Sequence, residues 1–154
     1  MSVTQGERLL KQRKVPFEVM EYDCRVKGAE YAAEVLDRPL EATFKTLIVA
    51  LQDKSFVVCV MPGDKELSLK KLARLAGAKS ARMSTPEEAQ KQTGYLVGGI
   101  SPFGTKKRME VYLHETIMNF ETIGINGGRR GLMLLLSPGD VKSVLGATVA
   151  DIAA

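Results

Sequence analysis

Residues 44–61 read FKTLIVALQDKSFVVCVM. Two apolar runs, Phe44–Leu51 and Phe56–Met61, flank the polar tetrapeptide Gln52-Asp53-Lys54-Ser55. Apolar runs of strand length that are separated by a short polar turn are typical of an antiparallel hairpin. We therefore predict a β-hairpin over this part of the chain.

Further strands and helices are predicted on both sides of this hairpin. Strand-like runs lie at 17–22, 110–113, 121–125 and 131–136, and a glycine-rich reversal joins the last two. Ser or Thr with an acid three residues later predicts helix starts at Thr4, Thr85 and Ser137, and short helices are also expected at 29–37 and after Ser68. Because strands and helices do not alternate regularly, we predict an α+β domain with a curved mixed or antiparallel sheet, barrel-like and surrounded by short helices.

Length and composition indicate a single domain over residues 1–154. The chain is 45% hydrophobic and 26% charged, which is typical of a folded globular protein. No run approaches the roughly 18 apolar residues of a membrane span, so we expect no membrane protein. The chain starts without a secretory signal pattern, and its two cysteines make no disulfide framework, which together indicate a reducing cytoplasm.

The charge balance allows a polyanionic partner without indicating a protein that coats nucleic acid. There are 22 Lys and Arg residues against 18 Asp and Glu, a net charge of +4. One histidine and two cysteines are too few for a structural zinc site or an iron–sulfur cluster. We predict no metal and no cofactor.

Lys45 interrupts the apolar run at the start of the first hairpin strand. It is either a cation at a strand end, whose aliphatic stem covers apolar surface, or a functional ammonium that stabilises an oxyanion. The segment Gly94–Gly104 is the second unusual stretch, since it holds four glycines and a proline yet is apolar. It is either a tight turn against the core or a loop whose N–H groups approach a ligand closely.

Other candidates carry weaker signals. His114 next to Glu115 is typical of a surface or strand-end histidine, and Cys59 in an apolar strand is typical of a small packing residue. The clusters 106–108 and 129–130 are basic, and such clusters either contact a nucleic-acid backbone or form solvated surface.

Three stretches together resemble one known family: Phe44–Leu47, Gly94–Arg108 and Gly127–Leu132. They are similar to the YbaK branch of the family related to the prolyl-tRNA synthetase editing domain, and the similarity covers nearly the whole chain. The resemblance implies that editing-domain fold and a free-standing deacylase that removes cysteine from mischarged tRNA(Pro) and, less selectively, from tRNA(Cys). It also implies prolyl-tRNA synthetase as a further partner, in a ternary complex with the tRNA.

The resemblance assigns roles to individual residues. The family's essential lysine falls on Lys45 and its glycine loop on Gly98 and Gly99, which we expect to be catalytic. The chain departs from its relatives at Met133, where some carry aspartate, and at Gly28, where an aromatic residue is common. The expected substrate-binding residues are Tyr22, Tyr31, Ile100, Ser101, Pro102, Asn126 and Gly127. The expected RNA-binding residues are Lys106, Lys107, Arg108 and Arg129.

The nucleophile that the resemblance implies is the cysteinyl thiol of the substrate itself. This agrees with a sequence that shows no Cys–His, Ser–His–Asp or metal-binding pattern. Two alternatives stay open: hydrolytic editing of alanyl- or seryl-tRNA by an ordered water, and a non-catalytic module that binds tRNA or a synthetase.

Overall fold

The computed structural model describes residues 3–23, 32–34 and 36–154. Within these residues, four helices have both ends defined: α1 (Gln5–Gln12), α2 (Leu69–Leu75), α3 (Pro86–Thr93) and α4 (Pro138–Leu145). Residues 32–34 are also helical, in agreement with the helix predicted at 29–37, whose residues 29–31 and 35 lie outside the described part. Short 3-10 turns cover Leu40–Ala42 and Glu115–Asn119.

The described residues form eight strands: β1 (Glu18–Glu21), β2 (Thr43–Leu51), β3 (Phe56–Pro62), β4 (Ala81–Met83), β5 (Glu110–His114), β6 (Ile123–Asn126), β7 (Leu132–Leu136) and β8 (Thr148–Ala150). They make one sheet with the order β1-β7-β6-β2-β3-β5-β8, and β4 pairs with β2 beside this path. The β2–β6, β3–β5 and β5–β8 pairs are parallel, and the others are antiparallel. The predicted α+β fold with a mixed sheet is confirmed. The expected barrel-like closure is wrong, because in the described residues the terminal strands β1 and β8 do not pair with each other and the sheet stays open.

The predicted hairpin is confirmed as β2 and β3, which pair from Phe44 opposite Pro62 to Ala50 opposite Phe56. Side chains alternate along β2, so its two faces enter different apolar clusters. Phe44 and Ile48 belong to one cluster, and Val49 and Leu51 belong to the other. Burial of both faces explains why this strand reads as an almost continuous apolar run.

Helix-capping side chains fix the starts of α1, α3 and α4 as predicted. Thr4 with Glu7 and Thr85 with Glu88 form complete capping boxes, and Ser137 accepts a hydrogen bond from the Asp140 N–H. No helix in the described ranges combines the length and the apolar character that crossing a bilayer requires.

Candidate active site

The candidate site is built around β2, because two different strands share its second edge. β6 pairs with this edge only at Thr43–Phe44, and β4 pairs with it only at Val49–Leu51. The two strands diverge, and in the described part of the chain residues 45–47 have no strand neighbour on this edge. We call this gap between β4 and β6 the fork.

A cavity of about 330 Å³ occupies the fork. Residues 43–48 of β2 all border it, although their side chains alternate between the two faces of the sheet. This is possible because the cavity lies along the edge of the strand rather than above one face. Phe44, Ile48, Ala89 and Ile100 contribute to its walls, so it suits a small acyl group more than a large polar one.

The first turn of α3 forms one wall of the cavity, and hydrogen bonds between Arg82, Glu88 and Thr85 stabilise this turn. Thr85 and Pro86 border the cavity at this turn. Both terminal nitrogens of Arg82 donate to the Glu88 carboxylate, at 2.8 and 2.9 Å, and Glu88 also accepts from the Thr85 N–H. The hydrogen bonds from Arg82 and Thr85 lower the pKa of Glu88 to about 2. The ion pair between Arg82 and Glu88 beside this wall therefore persists throughout the neutral pH range.

Lys45, which the resemblance assigns a catalytic role, borders the cavity. Its side chain is 28% exposed, and its Nζ lies 3.9 Å from Oε1 of Glu66. The Glu66 side chain is 88% exposed, so this ion pair is of the solvent-screened kind that contributes little to stability. The ammonium can therefore exchange Glu66 for a substrate oxygen at small cost.

Gly98 and Gly99 face different spaces, although they are adjacent in sequence. Gly98 borders the fork cavity, adopts φ +95°, and has no hydrogen-bond partner for its N–H in the described residues. Gly99 borders a separate cavity with Tyr95 and Arg129, and its N–H already donates to the Leu96 carbonyl at 2.9 Å. Of the two N–H groups expected to bind an oxyanion, the structure leaves only that of Gly98 available.

Asn126 borders the cavity and connects the two glycine-rich loops. Its Nδ2 donates to the carbonyl of Arg129 at 3.1 Å and, at 3.5 Å, to that of Gly98. Its Oδ1 accepts from the Gly128 N–H at 2.7 Å. The amide is thus largely engaged by the protein, and its geometric effect is to hold the Gly98 loop against residues 127–130.

The remaining residues expected to bind substrate are divided by the structure. Tyr22 and Ile100 border the cavity, and so does Met133, which stands where some relatives carry aspartate. Buried positions away from the cavity wall are occupied by Ser101, Pro102 and Gly127. Ser101 Oγ accepts from the Phe103 N–H, and the Gly127 carbonyl accepts from Thr4 Oγ1. Tyr31 lies outside the described residues.

The basic residues expected to bind RNA differ in exposure. The cluster 106–108 is exposed. Arg129 is only 26% exposed in its side chain, and its Nη2 lies 3.5 Å from Oε1 of Glu21. Its neighbour Arg130 is exposed and lies against Gly98, since a Cβ placed on that glycine would come within 2.5 Å of Arg130 Nε. Arg130, which the expected RNA-binding set did not include, therefore lies beside Gly98 and borders the separate cavity that Gly99 also borders.

Thr46 is a site residue that sequence reasoning missed. It borders the cavity, and its Oγ1 is buried without a hydrogen-bond partner in the described residues. A threonine in an apolar β-strand is so ordinary that nothing in the sequence distinguishes it. Only the divergence of β4 and β6 shows that its edge is free.

His114 and Cys59 lie away from the cavity. His114 is at the end of β5 as expected, but it is buried, and its Nδ1 accepts from the Ile152 N–H at 3.2 Å. Burial lowers the pKa of His114 and raises the pKa of Cys59 to about 12. The expectation that Cys59 packs as a small apolar residue is confirmed, because it is fully buried in the second cluster.

Sequence comparisons with known proteins identify the family of the chain. Residues 25–144 match the sequence profile of the aminoacyl-tRNA editing domain. EbsC of Enterococcus faecalis, provisionally named a Cys-tRNA(Pro)/Cys-tRNA(Cys) deacylase, is 35% identical over 151 residues, which are 97% of this chain and 92% of EbsC. A proline–tRNA ligase of Burkholderia cenocepacia is 30% identical over 139 residues, which are 79% of this chain but only 24% of the ligase.

The solved structures show the same fold. A structure described provisionally as a trans-editing enzyme for prolyl tRNA synthetase superposes with a TM-score of 0.90 at 25% identity. The superposition covers 99% of this chain and 99% of that one. The match therefore extends over all the elements that surround the fork.

Proposed function

The chain belongs to the aminoacyl-tRNA editing domain family, and we propose that the whole chain acts as one domain that removes cysteine from mischarged tRNA(Pro) and, less selectively, from tRNA(Cys). The observation that carries this proposal is the fork cavity, which is bordered by both Lys45 and Gly98. In the described residues the Gly98 N–H has no hydrogen-bond partner. The 35% identity to EbsC over 97% of the chain supports the choice of cysteine.

The chemistry requires little of the protein. An aminoacyl ester is already activated, so catalysis depends mainly on orienting it and on stabilising the oxyanion of the tetrahedral intermediate. Lys45 supplies a positive charge for that oxyanion, and the Gly98 N–H supplies a backbone donor. Gly99 supports the loop rather than the oxyanion, because its own N–H is used by Leu96.

The nucleophile in this proposal is the thiol of the bound cysteinyl group. Its sulfur bonds to the ester carbonyl carbon, the carbon–oxygen bond to the ribose breaks, and the ribose oxygen takes up the proton that the thiol has lost. The products are a cyclic thioester and uncharged tRNA. An intramolecular attack has a large effective molarity once the group is held in the reactive shape. A serine hydroxyl in the same place is a much weaker nucleophile without an adjacent base.

The remaining assignments follow from this reaction. Tyr22, Ile100 and Asn126 border the space in which the cysteinyl group lies, and the reaction uses no cofactor. The acceptor end of the tRNA reaches the cavity across the basic surface that includes residues 106–108 and Arg129. We place the protein in the cytoplasm, where charged tRNA is present and where prolyl-tRNA synthetase is available as a partner.

A side-by-side deacylation assay of tRNA(Pro) charged with Cys, Ala or Pro tests the proposal. Replacing Lys45 with alanine should slow removal of cysteine by on the order of 10² to 10³, the usual loss for one oxyanion donor. Lys70→Ala, which removes an exposed lysine from α2, is the matched control and should behave as the wild type.

Three results of this assay would contradict the proposal. Faster release of alanine than of cysteine would favour hydrolytic editing, and no release of any amino acid would favour a binding module. Near-wild-type turnover of a folded Lys45→Ala protein would remove Lys45 from the mechanism.

A further inference from the structure

Thr46 presents its main chain as well as its side chain to the fork. In an antiparallel pair, successive residues direct their backbone N–H and C=O groups alternately toward the partner strand and away from it. Hydrogen bonds from Gly63 N to Thr43 O and from Leu51 N to Ser55 O show that the odd-numbered residues of β2 are directed toward β3. The even-numbered residues therefore face the opposite edge.

Contacts on that opposite edge agree with this alternation. The Ser84 N–H donates to the Ile48 carbonyl at 3.1 Å, Ala50 pairs with β4, and Phe44 pairs with β6. Thr46 is the even-numbered residue between them, and in the described residues no strand pairs with it on this side. Its N–H and C=O are consequently directed into the fork.

The Thr46 hydroxyl is a third polar group at the same place. Its Oγ1 is buried and has no hydrogen-bond partner in the described residues. Leaving such a group unpaired is costly, so native proteins seldom do so without a reason. Two backbone groups and one hydroxyl of a single residue thus face the fork cavity.

We propose that Thr46 is a substrate-binding residue that pairs with the aminoacyl group as one strand residue pairs with another. The α-amino group of the substrate donates to the Thr46 carbonyl, the substrate carbonyl accepts from the Thr46 N–H, and the hydroxyl hydrogen-bonds to the bound aminoacyl-ribose. Addition of an extended segment to a free sheet edge is a common mode of peptide recognition. Here the segment is one residue long, so the contact recognises an α-amino acid whatever its side chain.

This inference rests on the proposed editing function. A binding measurement distinguishes failure of the inference from failure of the proposed function. The probe is 3′-cysteinylamino-3′-deoxyadenosine, an amide that cannot be cleaved by loss of the ribose oxygen, and its dissociation constant is measured by calorimetry. Thr46→Val keeps the shape of the side chain and removes only the hydroxyl. The matched control is Thr116→Val, because Thr116 Oγ1 is also buried without a partner in the described residues but lies in the 3-10 turn at 115–119, away from the cavity.

Thr46→Val should weaken binding roughly tenfold, without lowering the melting temperature, since it removes a buried hydroxyl that had no partner among the described residues. Thr46→Ser should restore part of the affinity, and Thr116→Val should bind as the wild type. The 3-mercaptopropanoyl analogue, which lacks the α-amino group, should bind at least roughly tenfold more weakly to the wild type.

Four outcomes would overturn the inference. These are unchanged binding by Thr46→Val, a fall in its melting temperature that accounts for the loss, an equal loss in Thr116→Val, and equal affinity for the analogue without the amino group. If the wild type binds neither probe, the proposed function fails together with this inference. If it binds both equally, only the inference fails.

Discussion

Asn126 offers a test of how the two loops at the fork are held together. The change Asn126→Ala removes the bonds from Nδ2 to the Arg129 carbonyl at 3.1 Å and from the Gly128 N–H to Oδ1 at 2.7 Å. It also removes a weaker contact of 3.5 Å with the Gly98 carbonyl. At about 1 kcal/mol for each of the two shorter bonds, the free energy of unfolding should fall by about 2 kcal/mol.

For a chain of this size, that loss corresponds to a decrease in melting temperature of about 4 to 8 °C. Thermal unfolding followed by circular dichroism measures it. Asn119→Ala, which truncates an exposed amide at the end of a 3-10 turn, should change the melting temperature by less than about 2 °C. The variant at Asn126 should also deacylate Cys-tRNA(Pro) at least roughly tenfold more slowly while still folded, since the Gly98 loop loses its anchor. A decrease of less than about 2 °C, or equal decreases in the two variants, would refute the anchoring role.

Three other perturbations address separate parts of the structure. Gly99→Ala should destabilise the fold more than Gly139→Ala, because a Cβ on Gly99 would lie 2.7 Å from the Arg129 Cα whereas one on Gly139 meets nothing within 4 Å; equal melting temperatures would show that the loops do not need this close approach. The lowered pKa of buried His114 means that its contribution to stability is fully present above its ordinary value of 6.5 and is lost as the pH falls below that value. The melting temperature should therefore fall between pH 7 and pH 5, and a slope that His114→Gln leaves unchanged would exclude the imidazole as the cause. The third test neutralises four basic residues, Lys106, Lys107, Arg108 and Arg129. Affinity for uncharged tRNA(Pro) should decrease with salt, and each neutralised contact should reduce the slope of log affinity against log salt concentration by roughly 0.7 to 0.9. An unchanged slope after all four replacements would place the RNA elsewhere.

Local features of the chain were predictable because their signals are local. The hairpin 44–61 follows from two apolar runs and a polar turn, and the starts of α1, α3 and α4 follow from capping residues and their spacing. Strands β4 and β8 were not predicted, because three residues are too few for a periodic pattern to be recognised.

The site was predictable only in part, since its shape depends on contacts between distant strands. Lys45 and the glycine loop stood out by composition, but composition does not show which residue of an apolar loop borders a cavity. Gly98 borders the cavity, whereas Ser101 is buried away from it. Thr46 has a free edge only because β6 pairs with one end of β2 and β4 with the other, and the two strands diverge between these points. Both partners come from later parts of the chain, so no local pattern around Thr46 could indicate the gap.

His114 shows the same limit at another position. Its place at the end of a strand was predictable, but its burial depends on residues 151–153 at the far end of the chain. A lone histidine carries no sequence signal for such a contact, because the partner is a backbone N–H, which every residue but proline has.

Release of the tRNA by the substrate's own thiol is the central step of the proposed reaction. The most direct measurement is rapid-quench mass spectrometry of the first product from Cys-tRNA(Pro) in water labelled with ¹⁸O, with seryl-tRNA(Pro) run in parallel. We predict a cyclic thioester without label at the earliest times, and slow cleavage of the seryl ester. Free labelled cysteine from the start, together with comparable cleavage of seryl-tRNA(Pro), would contradict this mechanism and identify water as the nucleophile.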